Sequence, residues 1–478
     1  MKKLFYLTTT LPYVNSSPHI GFAMELVRAD IIVRAKKLAG YEVFFNTGTD
    51  EHGLKIYRNA QTRGIETQAY VDEYAEKFKK LIPALGIMPE ITFTRTTDPH
   101  HVKAAQEFWK IVKKNGFIYK KNYSIKYCVG CELEKTDSEL VDGKCPLHPL
   151  QEIEIIEEEN YFFKWSAFKD KLLDLYSKNP HFVIPSTRQN EIRAFVERGL
   201  EDFSISRLAS KMPWGIPVPD DNTQVMYVWF DALVNYISAV GWPDRMGEFK
   251  KWCEDSGGMV QYCGKDNLRQ QSAMWQAMLM AAELPVSKTI IAEGFITGEG
   301  GIKMSKSLGN TVDPFEIVNE YGTDALRYFL ARELSPFEDS PFSAVQFKDA
   351  YNAHLANGLG NLVSRVMKMA QENLASPVDC KPKVGPWYGE AIETYDLKKF
   401  CDQIWNQIQE ADQIIQKEQP FKLVKTDAKK GQELIADLVK KLANIALTLK
   451  AVLPETSEKI EQCIAENKMP ESPLFVRK

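Results

Sequence analysis

The chain opens on an apolar run, Leu4 to Thr9, that is too short for a helix and carries no alternation, the pattern of a strand buried on both faces. A loop with Pro12, Asn15, Ser16, Ser17 and Pro18 follows. From His19 the spacing becomes helical: Val27, Ile31, Ala35 and Leu38 share one face, and Gly40 stands where such a helix ends. Residues 42–45 return to a strand pattern, so the opening predicts a β–α–β unit with parallel, buried strands. Ligands of such sheets bind beyond the carboxyl ends of the strands. That rule points at residues 13–21 and at 46–53, where Asp50, Glu51 and His52 crowd together.

Beyond residue 116 the pattern breaks into short β-like pieces and turns as far as residue 214, which reads as an insertion between two halves of one domain. The second half predicts strands at 225–230, 260–264 and 289–292 and a helix at 272–282. After residue 343 the periodicity is helical throughout. One segment covers 351–371, another aligns Leu397, Phe400, Ile404, Ala411 and Ile415, and a third aligns Leu434, Leu438, Leu442, Ile445 and Leu449, with Pro420 and Pro454 as punctuation. The expected architecture is α/β: a parallel-sheet domain in two halves (1–116 and 215–325), an insertion (117–214), a linking stem (326–342) and an all-α helical bundle (343–478).

Composition changes this picture little. With 44% hydrophobic and 26% charged residues the 478-residue chain reads as a soluble globular protein, and no run approaches the ~18–20 apolar residues of a membrane helix. The net charge of −4 leaves room for a local basic patch. A cytoplasmic protein is expected, since three of the eight cysteines cluster with a histidine and suggest a metal site in a reducing compartment. In that cluster Cys128 and Cys131, then thirteen residues, then Cys145 and His148 give two half-sites of equal internal spacing. Three thiolates and an imidazole satisfy a tetrahedral Zn2+ and leave no open position, so the site reads as structural, with iron the rival metal.

A second constellation lies in residues 294–314, GFITGEGGIKMSKSLGNTVDP, where Gly298, Gly300 and Gly301 give the backbone freedom and Lys303 and Lys306 give charge, a loop suited to closing over a polyphosphate. His19 and Gly21 stand at a helix N-terminus, which favours phosphate. Together, KMSKS and PHIG resemble the two signatures of class I aminoacyl-tRNA synthetases. The stretches LPYVNSSPHIG, FFNTGTDEHG, DFSISR, VMYVWFDALVNY, CGKDN, YGTDALRYFL and NGLGNLVSR, in this order around the cysteine cluster, narrow the resemblance to the methionyl-tRNA synthetase family.

The resemblance implies a class I Rossmann-type catalytic domain with a zinc-knuckle insertion and a helical anticodon-binding domain, activating L-methionine with Mg2+-ATP and transferring it to initiator and elongator tRNA(Met). His19, Gly21, Lys303 and Lys306 would be catalytic. These four, with Glu25, Gly264 and Asp266, would bind ATP. Leu11, Tyr13, Asp50, Trp229, Ala232, Leu233, Tyr236 and Gln271 would form the methionine pocket, with Asp50 receiving the ammonium. Asn361, Arg365 and Phe421 would read the anticodon. Several positions depart from the family pattern: Phe22 replaces the second histidine of the first signature, Asn267 and Gln271 replace an apolar residue and a histidine, Phe203 replaces a tryptophan near the pocket, and Phe421 replaces a stacking tryptophan. The chain stops soon after the bundle, which makes a monomer the expectation. A synthetase for a branched amino acid is disfavoured by the small insertion; a non-catalytic tRNA-binding paralogue is the other alternative.

Overall fold

Six parallel strands form the central sheet of the computed structural model, which describes residues 2–135, 137–302, 304 and 311–478. In chain order they are β1 (Leu4–Thr9), β2 (Glu42–Thr49), β3 (Thr92–Arg95), β4 (Val183–Ile184), β5 (Val260–Gly264) and β6 (Thr289–Glu293), arranged 3-2-1-5-6-4. The order reverses between β1 and β5, where Leu7 pairs with Val260 and Thr9 with Tyr262. Connections leave these two strands in opposite directions, so their carboxyl ends border a crevice.

Helix α1 (Ile20–Leu38) follows β1 and is buried on nearly every side, with even Glu25, Arg28 and Asp30 inside. It lies between the sheet and the bundle helix Ala428–Val452. Helix α2 (Leu54–Arg63) begins directly after the Asp50 segment and ends on Gly64 in a left-handed C-cap. The four-stranded antiparallel sheet Leu133–Lys135, Ile118–Cys128, Glu154–Phe163 and Phe203–Ser204 carries the cysteine cluster at one end.

Two details differ from the expected pattern. The apolar run 225–230 is a strand only to Met226 and turns into the short helix Val228–Ala232; every residue of the run is apolar, so neither period is marked. The stretch read as an insertion contributes the two-residue strand β4, which pairs with β6 at the edge of the main sheet, as well as the helices Lys169–Lys178 and Ser186–Glu197. The C-terminal third is helical as expected. Leu397, Phe400, Ile404, Ala411 and Ile415 are buried along Leu397–Glu418, and Pro420 and Pro454 each open a helix. One hydrophobic core runs from Leu7 and Ile31 through Leu326 to Leu442 and Leu449, so the bundle and the sheet share an interior.

Candidate active site

A cavity of about 410 Å³ lies over the carboxyl ends of β1 and β5. Its floor begins at α1. His19 takes the N-cap position in extended conformation, and its Nδ1 accepts the Gly21 N–H at 3.1 Å. The chain must pass close to that ring, for a Cβ on Gly21 would stand 3.0 Å from His19 Cε1. The N–H of Ile20 donates to the carbonyl of Val312, so the glycine–lysine loop returns to this same helix start. Gly300 and Gly301 take left-handed φ values of 74° and 78°, as a loop of that curvature requires, and Met304 lines the cavity. Lys303 and Lys306 lie outside the described residues.

On the α1 flank Glu25 is buried, and its Oε1 accepts the backbone N–H of Thr10 at 2.7 Å and the Thr10 hydroxyl at 2.5 Å. Burial, then the nearby Glu293 carboxylate, hold the Glu25 carboxyl well above its ordinary range. Asp266 lines the cavity, whereas Gly264 stands beside it at the end of β5, where a Cβ would meet Asp266 Oδ1 at 2.7 Å. Phe22 lines the wall too, packed edge-on against Phe78 at 5.2 Å.

The other flank is aromatic and apolar. Leu11, Tyr13, Trp229, Ala232, Leu233 and Tyr236 all line it. Tyr236 Oη accepts the Gln271 amide at 2.7 Å, and the Gln271 carbonyl oxygen accepts from Gln261. Asn267 borders the cavity; Phe203 instead packs on Phe163 and Trp165 in the core beneath the sheet. Asp50 projects into the apolar end, only 7% exposed, and its Oδ1 has no hydrogen-bond partner. Burial, then the charge of Asp231, push the Asp50 carboxyl well above its ordinary value. A buried carboxylate oxygen without a donor is a place for a ligand cation.

Residue spacing did not single out Asp231 or Glu132, and it marked His52 only as one of three polar residues crowded after β2. His52 Nδ1 meets Asp231 Oδ2 at 3.1 Å, behind Asp50. Glu132 lines the cavity and joins segments far apart in sequence; only its position next to a cysteine pair marked it.

The cysteine cluster forms the adjoining wall. Cys128, Cys131 and Cys145 Sγ and a ring nitrogen of His148 lie within 4.8 Å of one another, with Cys131 Sγ 3.5 Å from Cys145 Sγ and 3.2 Å from His148 Nδ1. These are the separations of ligands about one tetrahedral ion. Gly130 is required between the first two ligands, because a Cβ there would stand 2.5 Å from the His148 ring.

In the bundle, Asn361 is exposed at the start of α3 (Asn361–Asn373), Arg365 one turn on is paired with Asp412, and Phe421 stands 43% exposed at the start of the helix Pro420–Thr426.

The parallel sheet with its reversal point and the helix start beside the cavity belong to a class I tRNA synthetase fold, and the family described as "tRNA synthetases class I (M)" matches residues 5–153 and 150–367. The chain is 39% identical to a methionine–tRNA ligase of Thermosynechococcus vestitus, over 96% of this chain and 90% of the relative, and 40% identical to one of Rickettsia bellii, over 96% and 92%. It superposes on a Mycobacterium tuberculosis methionyl-tRNA synthetase in complex with methionyl-adenylate with a TM-score of 0.90 at 33% identity, covering 100% of both chains. The chain belongs to the methionyl-tRNA synthetase family.

Proposed function

We propose that the chain activates L-methionine with ATP at this cavity and passes the methionyl group to tRNA(Met). The observation that carries the reading is Asp50: a buried carboxylate oxygen lacking a donor, set at the end of an aromatic-apolar chamber sized for a flexible side chain, opposite a helix N-terminus suited to phosphate. The methionine ammonium pairs with Asp50, and the thioether packs among Leu11, Tyr13, Trp229, Ala232, Leu233 and Tyr236.

In the first step a methionine carboxylate oxygen bonds to the α-phosphorus of ATP and the bond from that phosphorus to the β-phosphate bridge oxygen breaks, releasing pyrophosphate. The N-terminus of α1 faces the phosphates, with His19 and the Gly21 segment orienting them, while Lys303 and Lys306 clamp the departing pyrophosphate. Glu25 and the Gly264–Asp266 turn hold the nucleoside end. In the second step a terminal ribose hydroxyl of the tRNA takes the acyl group and AMP leaves. Asn361, Arg365 and Phe421 supply an edge reader, a planar cation and a stacking ring for anticodon bases, for which Arg365 must exchange its Asp412 partner.

Mg2+ accompanies ATP and screens its phosphate charge. The Cys128, Cys131, Cys145 and His148 donors suit zinc, which when bound supplies a closed cross-link and no reaction chemistry. The chain acts as a cytoplasmic monomer in this reading.

The test is amino-acid-dependent ATP–pyrophosphate exchange across all twenty amino acids, with Lys306→Ala beside the parent. Exchange with methionine alone supports the reading, and Lys306→Ala lowers the exchange rate far more than it weakens methionine binding. No exchange with any amino acid, in a folded protein, favours instead a non-catalytic tRNA binder.

A further inference from the structure

Glu132 is 4% exposed, carries an unusual left-handed φ of 53°, and directly follows the metal-cluster residue Cys131. A non-glycine residue holds that conformation only where its surroundings fix it. Here they do so from four directions. Oε1 accepts the Tyr13 hydroxyl at 3.0 Å and the backbone N–H of Lys55 at 2.6 Å, Oε2 accepts the Tyr127 hydroxyl, and the Glu132 carbonyl accepts the Tyr227 hydroxyl at 2.5 Å. Arg207 stacks its guanidinium on both phenol rings, 4.6 Å from the Tyr227 centroid and 5.2 Å from that of Tyr127.

Two of these bonds reach either side of Asp50. Tyr13 and Asp50 form a parallel bridge, in which Val14 N–H donates to the Asp50 carbonyl at 3.1 Å and Asp50 N–H to the Pro12 carbonyl at 2.9 Å. Lys55 is the second residue of α2, whose own N-cap, Gly53, has no side chain to offer; the Glu132 carboxylate caps that helix from another segment and places an anion at its positive end. Lys55 Nζ adds a second tie, to the Gly130 carbonyl at 3.3 Å.

We infer that Glu132 is a positioning residue for amino-acid binding: from the metal-cluster wall it holds the Tyr13 hydroxyl and the start of α2, and thereby fixes Asp50 in the geometry that receives the substrate ammonium. This rests on the methionine reading of the cavity. The phosphate end depends on β1 and α1, which Glu132 does not touch, so its removal separates the two substrates.

The experiment compares the parent, Glu132→Gln, Tyr13→Phe and the double variant. Methionine affinity is read from quenching of tryptophan fluorescence, the KM values of methionine and ATP from exchange kinetics, and bound metal and melting temperature are measured alongside. Each single variant weakens methionine about tenfold, within the range for groups that orient a binding residue, the double is no weaker than the weaker single, and the ATP KM and metal content stay at parental values. Unchanged methionine affinity in a metal-retaining Glu132→Gln overturns the inference, as does equal weakening of methionine and ATP. Should Glu132→Gln fail to fold, Tyr13→Phe decides alone, since it removes one bond of Glu132 and leaves the metal cluster intact; parental methionine affinity there overturns it. A parent protein that binds no methionine refutes the reading of the cavity itself.

Discussion

Asp50 combines two properties that oppose each other, because a carboxylate that must be charged for an ammonium is buried beside another acid, Asp231. Its folded-state pKa is raised, so the ionised form costs stability once the pH is above that value, and the cost disappears as pH falls below the unfolded value near ~3.9. Asp50→Asn removes the cost. The variant is therefore expected to melt at a higher temperature than the parent at pH 8, with the gap closing as the pH is lowered, while methionine binding is lost. Equal melting temperatures at pH 8 count against the buried-charge account. For the parent, methionine affinity falls as pH drops through the raised pKa of Asp50, which calorimetric titration at successively lower pH would follow. At the same scale, Trp229→Ala removes a large apolar wall of the cavity and weakens methionine by about 1.5–3 kcal/mol without changing the ATP KM.

Elements differ in how far the sequence announced them. Long, periodic ones such as Ile20–Leu38 and Leu397–Glu418 were readable because burial follows one repeat over several turns. The run 225–230 was not, since an all-apolar segment has no polar face to mark its period, and the edge strand Val183–Ile184 is too short to have one. Motif residues such as His19, Gly21 and Asp50 were legible by resemblance, and they lie around one cavity. Glu132 and Asp231 were not, because their meaning lies in bonds spanning 119 and 179 residues. The metal turn is closely fitted to its residues. Gly130→Ala drives a methyl group into the His148 ring, so the variant should retain less than the one metal ion per chain expected of the parent, as measured by elemental analysis after dialysis.

At the scale of the whole molecule, Arg327 is the joint. Fully buried, its guanidinium donates to Asp30 Oδ2 at 2.7 Å, to the Leu85 carbonyl at 3.0 Å, and to the Ala451 and Val452 carbonyls at 3.0 and 2.8 Å, where the helix Ala428–Val452 ends. It thus neutralises a helix C-terminus and ties the bundle to the middle of α1. Arg327→Met takes this donor from the Leu85, Ala451 and Val452 carbonyls and leaves Asp30 Oδ2 with Arg34 alone, and it should destabilise the protein by about 3–5 kcal/mol, measured by urea unfolding. A loss below ~1 kcal/mol would show that packing alone holds the bundle in place.

Helix α1 is the member this joint grips. Nineteen residues make a rod of roughly 28 Å. Its first turn presents N–H groups to the cavity, Asp30 sits in the Arg327 joint, and near its far end Lys36 bonds Glu393 at 2.5 Å while the Ala35 carbonyl accepts Tyr388 at 3.2 Å. One buried helix thus carries both the cavity's N–H groups and the bonds that hold the bundle, so any displacement of the bundle that keeps these bonds must carry the start of α1 with it.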